Sequence, residues 1–201
     1  MKAYKKVLAA SLILFSFTTN AFGQVEGHED QIRRKAAEKV GQMNAYISFM
    51  ASKKKELDDR AYYRTKALNL FIEKGNEYVE NGVNKEGVMM EVTSKRRTTP
   101  SHPLMRDYFT NLVYRMKAYT DVKITATEIA DIKVSNLRQI DADLWECTCE
   151  YDQAFVGLRD GRPIYKDITT KRIKCYVIGE DTEDGYEFII LLGDTYAIDT
   201  K

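Results

Sequence analysis

Three cysteines, two histidines and a large tyrosine complement are the residues best equipped for chemistry in this chain. Cys147 and Cys149 stand two apart, so on an extended strand their sulfurs share a face, and Cys175 is the third thiol. Such a set can form one disulfide with a thiol left over, and Cys147 with Cys175 is the candidate bridge. Three reduced thiols packed as small apolar groups are the plainer reading. His28 and His102 stand alone, with no H-x-x-x-H pair, Cys-His cluster or acidic loop of metal-site spacing, so the chain predicts no metal and no cofactor. No G-x-S-x-G motif or glycine-rich phosphate loop is present, and no catalytic residue is assigned. Lys166, Arg172 and Lys174 share one face of a strand, where an alternating pattern puts charges in water.

Carboxylates and phenols remain. Glu128 interrupts the apolar rhythm of its segment, which makes it either the base of a pocket or a residue returned to solvent by a bulge. Tyr46, Tyr108, Tyr151 and Tyr176 lie on or beside apolar stripes, as does Trp145. A tyrosine offers a ring for packing and a hydroxyl that needs a partner, which suits pocket walls and interfaces. These six residues form the predicted pocket lining.

The elements that position them read in two halves. Ile32, Ala36, Val40, Met43, Ile47, Met50 and Leu57 recur at helical spacing and predict a long amphipathic helix from Asp30. Asp58 and Asp59 are N-cap candidates for a second helix carrying Tyr62, Tyr63, Ala67, Leu70 and Phe71. Asn81-Gly82 is a turn signal inside a loop, Val88 to Thr93 a short strand, and Ser101-His102-Pro103 the opening of a third helix. After Asp121 the period falls to two. A long strand from Val122 to Val134, a strand through Trp145 to Phe155, an Asp160-Gly161 hairpin and two returning strands follow. Counting back from that two-residue turn sets Cys175 opposite Glu146. The returning strand changes apolar phase between Ile168 and Ile173, and a bulge near Thr169 or Thr170 restores Cys175 to the face of Cys147. Helices followed by an antiparallel meander predict an α+β domain, with a curved sheet of four to five strands wrapped on the long helix.

Lys2, Lys5 and Lys6, the apolar run Val7 to Phe17 and the small-residue context around Ala21 and Gly23 read as a signal peptide of residues 1–23, cleaved before Gln24. The run is shorter than the roughly 18 residues a permanent span needs, so no membrane anchor is expected after cleavage, and the chain is expected in the periplasm or secreted. Removing three lysines from 31 basic residues leaves 28 against 30 acidic ones, a balance that gives no pull toward nucleic acid. With three prolines and no Gly/Ser-rich stretch, residues 24–201 read as one domain.

This order of elements resembles the cone-shaped fold of nuclear transport factor 2, ketosteroid isomerases and related polyketide cyclases. The segments Gly87-Val-Met-Met-Glu-Val92 and Ile164-Tyr-Lys-Asp-Ile-Thr-Thr-Lys-Arg172 resemble parts of exported proteins from Bacteroides-type bacteria that carry no assigned activity. The isomerase branch implies an acidic base and a tyrosine-lined oxyanion hole, but no motif here carries either over. The expected function is therefore an exported binding or interaction module, whose partner is a small molecule, another protein or a second copy of the chain. The alternative is an isomerase- or cyclase-like enzyme using a buried carboxylate and tyrosines, and a redox role for Cys147 and Cys149 ranks last.

Overall fold

A computed structural model describes residues 27–182 and 185–201. The expected signal peptide lies outside them. The long helix α1 runs Glu29–Ala51 and buries Ile32, Ala36, Val40, Met43, Ile47 and Met50 of the stripe its periodicity predicts; Leu57, expected on the same stripe, lies beyond the helix end and is exposed. Helix α2, Leu57–Leu68, begins earlier than its acidic pair suggests. Glu56 holds the N-cap position, and Asp58 and Asp59 sit in the first turn, where a carboxylate favours the helix dipole. Tyr62 is exposed, whereas Arg60 turns inward, donating to the carbonyls of Met50 (2.7 Å) and Leu112 (2.7 Å). Leu70 and Phe71 fall beyond the helix, in a segment where the Leu192 N–H donates to the Leu70 carbonyl (2.9 Å). Helix α3 is short, Met105–Thr110, and continues as a π turn over Asn111–Arg115. No helix of the described residues is long and apolar enough to cross a membrane.

Among the described residues, eight strands follow the sequence in part. β1 (Tyr78–Glu80) and β2 (Val83–Lys85) form a hairpin in the stretch expected to be loop. Asn81 (φ 51°) and Gly82 (φ 76°) give it the left-handed turn that suits a two-residue hairpin. Residues 88–93 make only isolated bridges, among them Met90 to Thr195 and Val92 to Ser101, rather than a strand. The expected long strand breaks into β3 (Asp121–Ala126), a 3-10 turn at Ile129–Asp131, and β4 (Lys133–Val134). β5 (Arg138–Asp141) was not foreseen. β6 (Leu144–Arg159), β7 (Arg162–Thr182) and β8 (Gly185–Thr200) complete a six-stranded antiparallel sheet in the order β3-β6-β7-β8, with β4 and β5 also on β6. The α+β architecture is as expected, with more strands.

The β6–β7 register differs from the simple count. Arg159 pairs with Arg162 across the tight turn, but the register shifts between Gly157 and Leu158, so Cys147 stands directly opposite Cys175. No shift between β6 and β7 occurs near Thr169. The strand keeps one face throughout, and what changes along it is the polarity of that face.

Candidate functional site

Odd positions of β6 face α1, since the Gln153 side chain donates to Asn44 Oδ1 on that helix (2.9 Å). Their partners on β7 share this inner face: Phe155 with Asp167, Gln153 with Thr169, Tyr151 with Lys171, Cys149 with Ile173 and Cys147 with Cys175. The half nearer β5 is apolar, with Trp145, Cys147, Cys149, Ile173, Cys175 and Val177 all buried. A pocket of small-molecule size lies not between helix and sheet, where the lining was expected, but elsewhere.

That pocket, about 730 Å³, opens on the opposite, outer face of the sheet. The β1–β2 hairpin forms one wall, the turn Ile72–Gly75 a second and the end of β5 a third. Leu144, Ile178, Ile189 and Leu191, aligned by the Leu144–Ile178, Ile178–Ile189 and Tyr176–Leu191 pairings, make its apolar floor. Glu73 (φ 44°) and Lys74 (φ 55°) both line it in the left-handed region. For side chains with a Cβ that conformation costs roughly 1–2 kcal/mol each, and such strain gathers at ligand-facing segments.

One end is polar and firmly fixed. Glu80 accepts hydrogen bonds from the Tyr176 hydroxyl and from Lys174 Nζ (2.9 Å), with Lys85 Nζ at 3.6 Å. Burial alone would raise the Glu80 carboxyl, but these hydrogen bonds and both lysine charges outweigh it and hold it below the usual carboxylate range. Lys174 also reaches Glu146 (3.7 Å), which Arg138 pairs from the other side. Beside this cluster Tyr78 is buried, with the Tyr176 hydroxyl as its hydrogen-bonding neighbour. Burial and then the negative charges of Asp194 and Glu80 push its pKa well up, so the phenol stays neutral.

A second polar cluster occupies the inner face toward the Asp160-Gly161 turn. Asp167 is buried and accepts from the Tyr165 hydroxyl (2.5 Å). Lys171, 5% exposed, places Nζ 3.2 Å from the Glu91 carbonyl and 3.5 Å from Met90 Sδ. Desolvation lowers its pKa to about 8, against the pull of Glu91 and Asp167. Burial pushes up the phenols of Tyr108 and Tyr151, more than the hydrogen-bonding neighbour Asn44 lowers that of Tyr151.

The cysteines are free and buried at the centre of the inner face. Cys149 Sγ lies 3.6 Å from Cys175 Sγ. Hydrogen bonding from the other two thiols lowers the pKa of Cys147, while hydrogen bonding to Cys147 and burial raise those of Cys149 and Cys175. Among the described residues, no group of His, Cys, Asp and Glu is arranged to hold a metal ion.

The six predicted lining residues separate. Tyr176 lines the outer pocket, and Tyr108 and Tyr151 belong to the inner cluster. Trp145 is core, edge-on to Phe188 at 6.4 Å. Tyr46 is half-buried on α1, packed on Tyr63 (5.3 Å) and bonded by Gln42 (2.9 Å). Glu128 is exposed at the start of the 3-10 turn, so the pocket-base reading of that residue fails because the strand ends before it. His102 is exposed too, 4.0 Å from Glu91. Sequence reasoning missed Tyr78, Glu80, Asp167 and Lys171. The odd-position run Asp167, Thr169, Lys171, in phase with Ile173 and Cys175, was the available signal for the last two.

No family model and no curated protein matches this chain. Among solved structures, it is similar to a candidate scytalone dehydratase from Novosphingobium aromaticivorans, at 7% identity and a TM-score of 0.43 over 87% of this chain and 90% of that one. A type 2 hexachlorocyclohexane dehydrochlorinase gives 9% identity and a TM-score of 0.37, covering 87% and 91%. The type 3 enzyme from Novosphingobium barchaimii gives 9% and 0.36, covering 87% and 92%. At such identities and scores nothing about chemistry passes from those proteins to this chain.

Proposed function

We propose that this protein is an exported binding module that holds a small amphipathic molecule in the pocket between the β1–β2 hairpin and the outer face of the sheet. The observation that carries this reading is a cavity of about 730 Å³ with an aliphatic floor and one built polar end. Its size lies within the 300–1,000 Å³ range of small-molecule sites, and a few convergent polar groups on apolar walls are their usual composition. Titration with Nile red, a neutral apolar dye, tests it. The protein enhances dye emission saturably, and Leu191→Trp, which fills the floor, weakens uptake at least tenfold. Absence of dye uptake, or uptake unchanged in Leu191→Trp, overturns the reading. Export is tested separately: N-terminal sequencing of chain recovered from a bacterial periplasm begins at Gln24, and retention of residues 1–23 contradicts it.

The inner cluster supports a second reading, the isomerase-like one. Buried Asp167 is a candidate base, and the neutral phenols of Tyr108 and Tyr151 are candidate donors to a developing oxyanion. Deuterium uptake from D₂O into a panel of enolisable cyclic ketones tests it. Uptake lost in Asp167→Asn supports acid–base chemistry there, and no uptake across the panel removes it.

A further inference from the structure

We infer that the tip of the β6–β7 hairpin, with the loop over residues 94–97 beside it, docks the protein on an anionic lipid surface. The pocket reading is not needed for this, because the pocket lies at the other end of the same strands. Charge is nearly balanced over the chain, but three segments bring an excess of cations to the tip. Residues 92–105 contain Lys95, Arg96 and Arg97 and no carboxylate. Residues 117–123 add Lys117 and Lys123, and their one acid, Asp121, is buried and accepts from the Lys53 and Val122 N–H groups (2.9 Å each). Residues 153–166 add Arg159, Arg162 and Lys166 against Asp160 alone. Side chains join the segments. The Arg96 guanidinium lies 4.7 Å from the centre of the Tyr165 ring and donates to the Ile164 carbonyl (3.3 Å). Arg159 donates to the Ala118 carbonyl (3.2 Å), and the Asp160 N–H to Thr120 Oγ1 (2.9 Å).

All of these cations are exposed, and among the described residues no ion pair uses any of them. Asp199, which shares a hollow with Lys95 and Arg97, pairs with Lys201 instead (3.4 Å). Like charges gathered in this way repel one another, and a partner that brings phosphate groups relieves the repulsion. The second observation is apolar and independent of charge. Ile164, beside Pro163 at the turn, and Ile168 on the outer face are each 39% exposed. Half-buried Val156 stands between Lys123 and Lys166 in the strand register. A soluble polyanion meets the cations but leaves these aliphatic side chains in water. A bilayer surface meets both, with phosphates at the cations and the acyl boundary at the isoleucines. Shape agrees, because β8 ends opposite Thr169 and residues 162–167 of β7 run on past it. A projecting tip suits a broad surface better than a chain that must be enclosed.

Protein recovered from a bacterial periplasm is sedimented with vesicles of equimolar phosphatidylglycerol and phosphatidylcholine, or of phosphatidylcholine alone. It binds the anionic vesicles, is released from them by about 0.5 M NaCl, and stays in solution with the neutral ones. The triple variant Lys123→Gln/Arg162→Gln/Lys166→Gln, which removes three exposed cations, weakens vesicle binding about thirtyfold. Ile164→Ser/Ile168→Ser, which keeps every charge, weakens it about fivefold but leaves retention on immobilised heparin, a polyanion without acyl chains, unchanged. Every chain carries the same N-terminus, so the differences belong to the tip and not to residues 1–23. Binding that needs the cations but not the isoleucines makes the partner a soluble polyanion and overturns the lipid assignment. Equal binding to neutral vesicles, no binding to either kind, or binding that survives the triple variant overturns the docking surface itself. None of these outcomes bears on dye uptake by the pocket.

Discussion

Replacing Lys171 by methionine is expected to stabilise the protein at neutral pH. An ammonium with an ordinary pKa of 10.5 titrates here at about 8, because burial penalises its charged form more than Glu91 and Asp167 relieve it. Two and a half pH units at about 1.4 kcal/mol each amount to roughly 3.5 kcal/mol against folding at pH 7. Methionine removes that cost but loses the hydrogen bond to the Glu91 carbonyl, worth roughly 1.5 kcal/mol, so a net gain of about 2 kcal/mol remains. The sign with pH follows directly. Between 8 and 10.5 the unfolded chain keeps a proton on this lysine that the native state has released, so wild-type stability gains from Lys171 as pH rises across that window. The penalty is complete below pH 8, and the advantage of Lys171→Met is therefore largest at pH 7 and shrinks toward 10.5. Buried thiols and phenols titrate nearby, but they are common to both proteins and cancel in the difference. Urea unfolding of both proteins at half-unit steps from pH 7 to 10.5, under reductant, measures it. A difference flat across the window, with the variant the weaker protein at pH 7, refutes the reasoning.

Glu80→Gln removes the charge that joins β1 to β7, and is expected to cost roughly 2 kcal/mol in urea unfolding at pH 7. Because the native carboxyl titrates below its ordinary 4.5, its contribution is present above that value and lost as pH falls through the native pKa, so wild type and variant converge in acid. Gly157→Ala builds a methyl inside 3.0 Å of three Tyr119 ring atoms, and lowers stability by about 1–3 kcal/mol, with Tyr119→Leu recovering part of the loss in the double variant. Iodoacetamide leaves Cys147, Cys149 and Cys175 unmodified in the native reduced protein and labels all three in urea; rapid native labelling, read by intact mass, contradicts their burial.

What the chain disclosed, and where it misled, comes down to which face each rhythm was assigned. The α1 stripe and the even-spaced apolar run on β6 were legible because one side of each element meets a core and the other meets water. β7 was not, because Ile164 and Ile168 are apolar yet each 39% exposed, while Asp167, Thr169 and Lys171 are polar yet buried. A rule that sends apolar residues inward reads that inversion as a slip, and places a bulge near Thr169 where the strand has none between β6 and β7. The β1–β2 hairpin was announced by Asn81-Gly82, but its strands are three residues each, too short to show an alternation. Glu80 and Tyr176 are 96 positions apart, and no local pattern joins residues at that separation.

The location of the pocket follows from how the two faces of the sheet are covered. α1 lays a row of large side chains on the inner face, where Met90, Met105, Phe109 and the three thiols are buried as well. Among the described residues, the outer face at the pocket end of the sheet carries the turn Ile72–Gly75 and the short β1–β2 hairpin. Two strands alone are at best marginally stable in water, and this pair is tied to the sheet through side chains, chiefly the Glu80 contacts with Tyr176 and Lys174. A cover held at one polar end cannot pack flush along its whole length against a twisted sheet. The space left between the anchored end and Ile140 at the rim is the cavity. The same carboxylate that docks the hairpin thus determines that a pocket exists, which is why Glu80→Gln is expected to weaken Nile red uptake even though glutamine keeps the volume of the side chain.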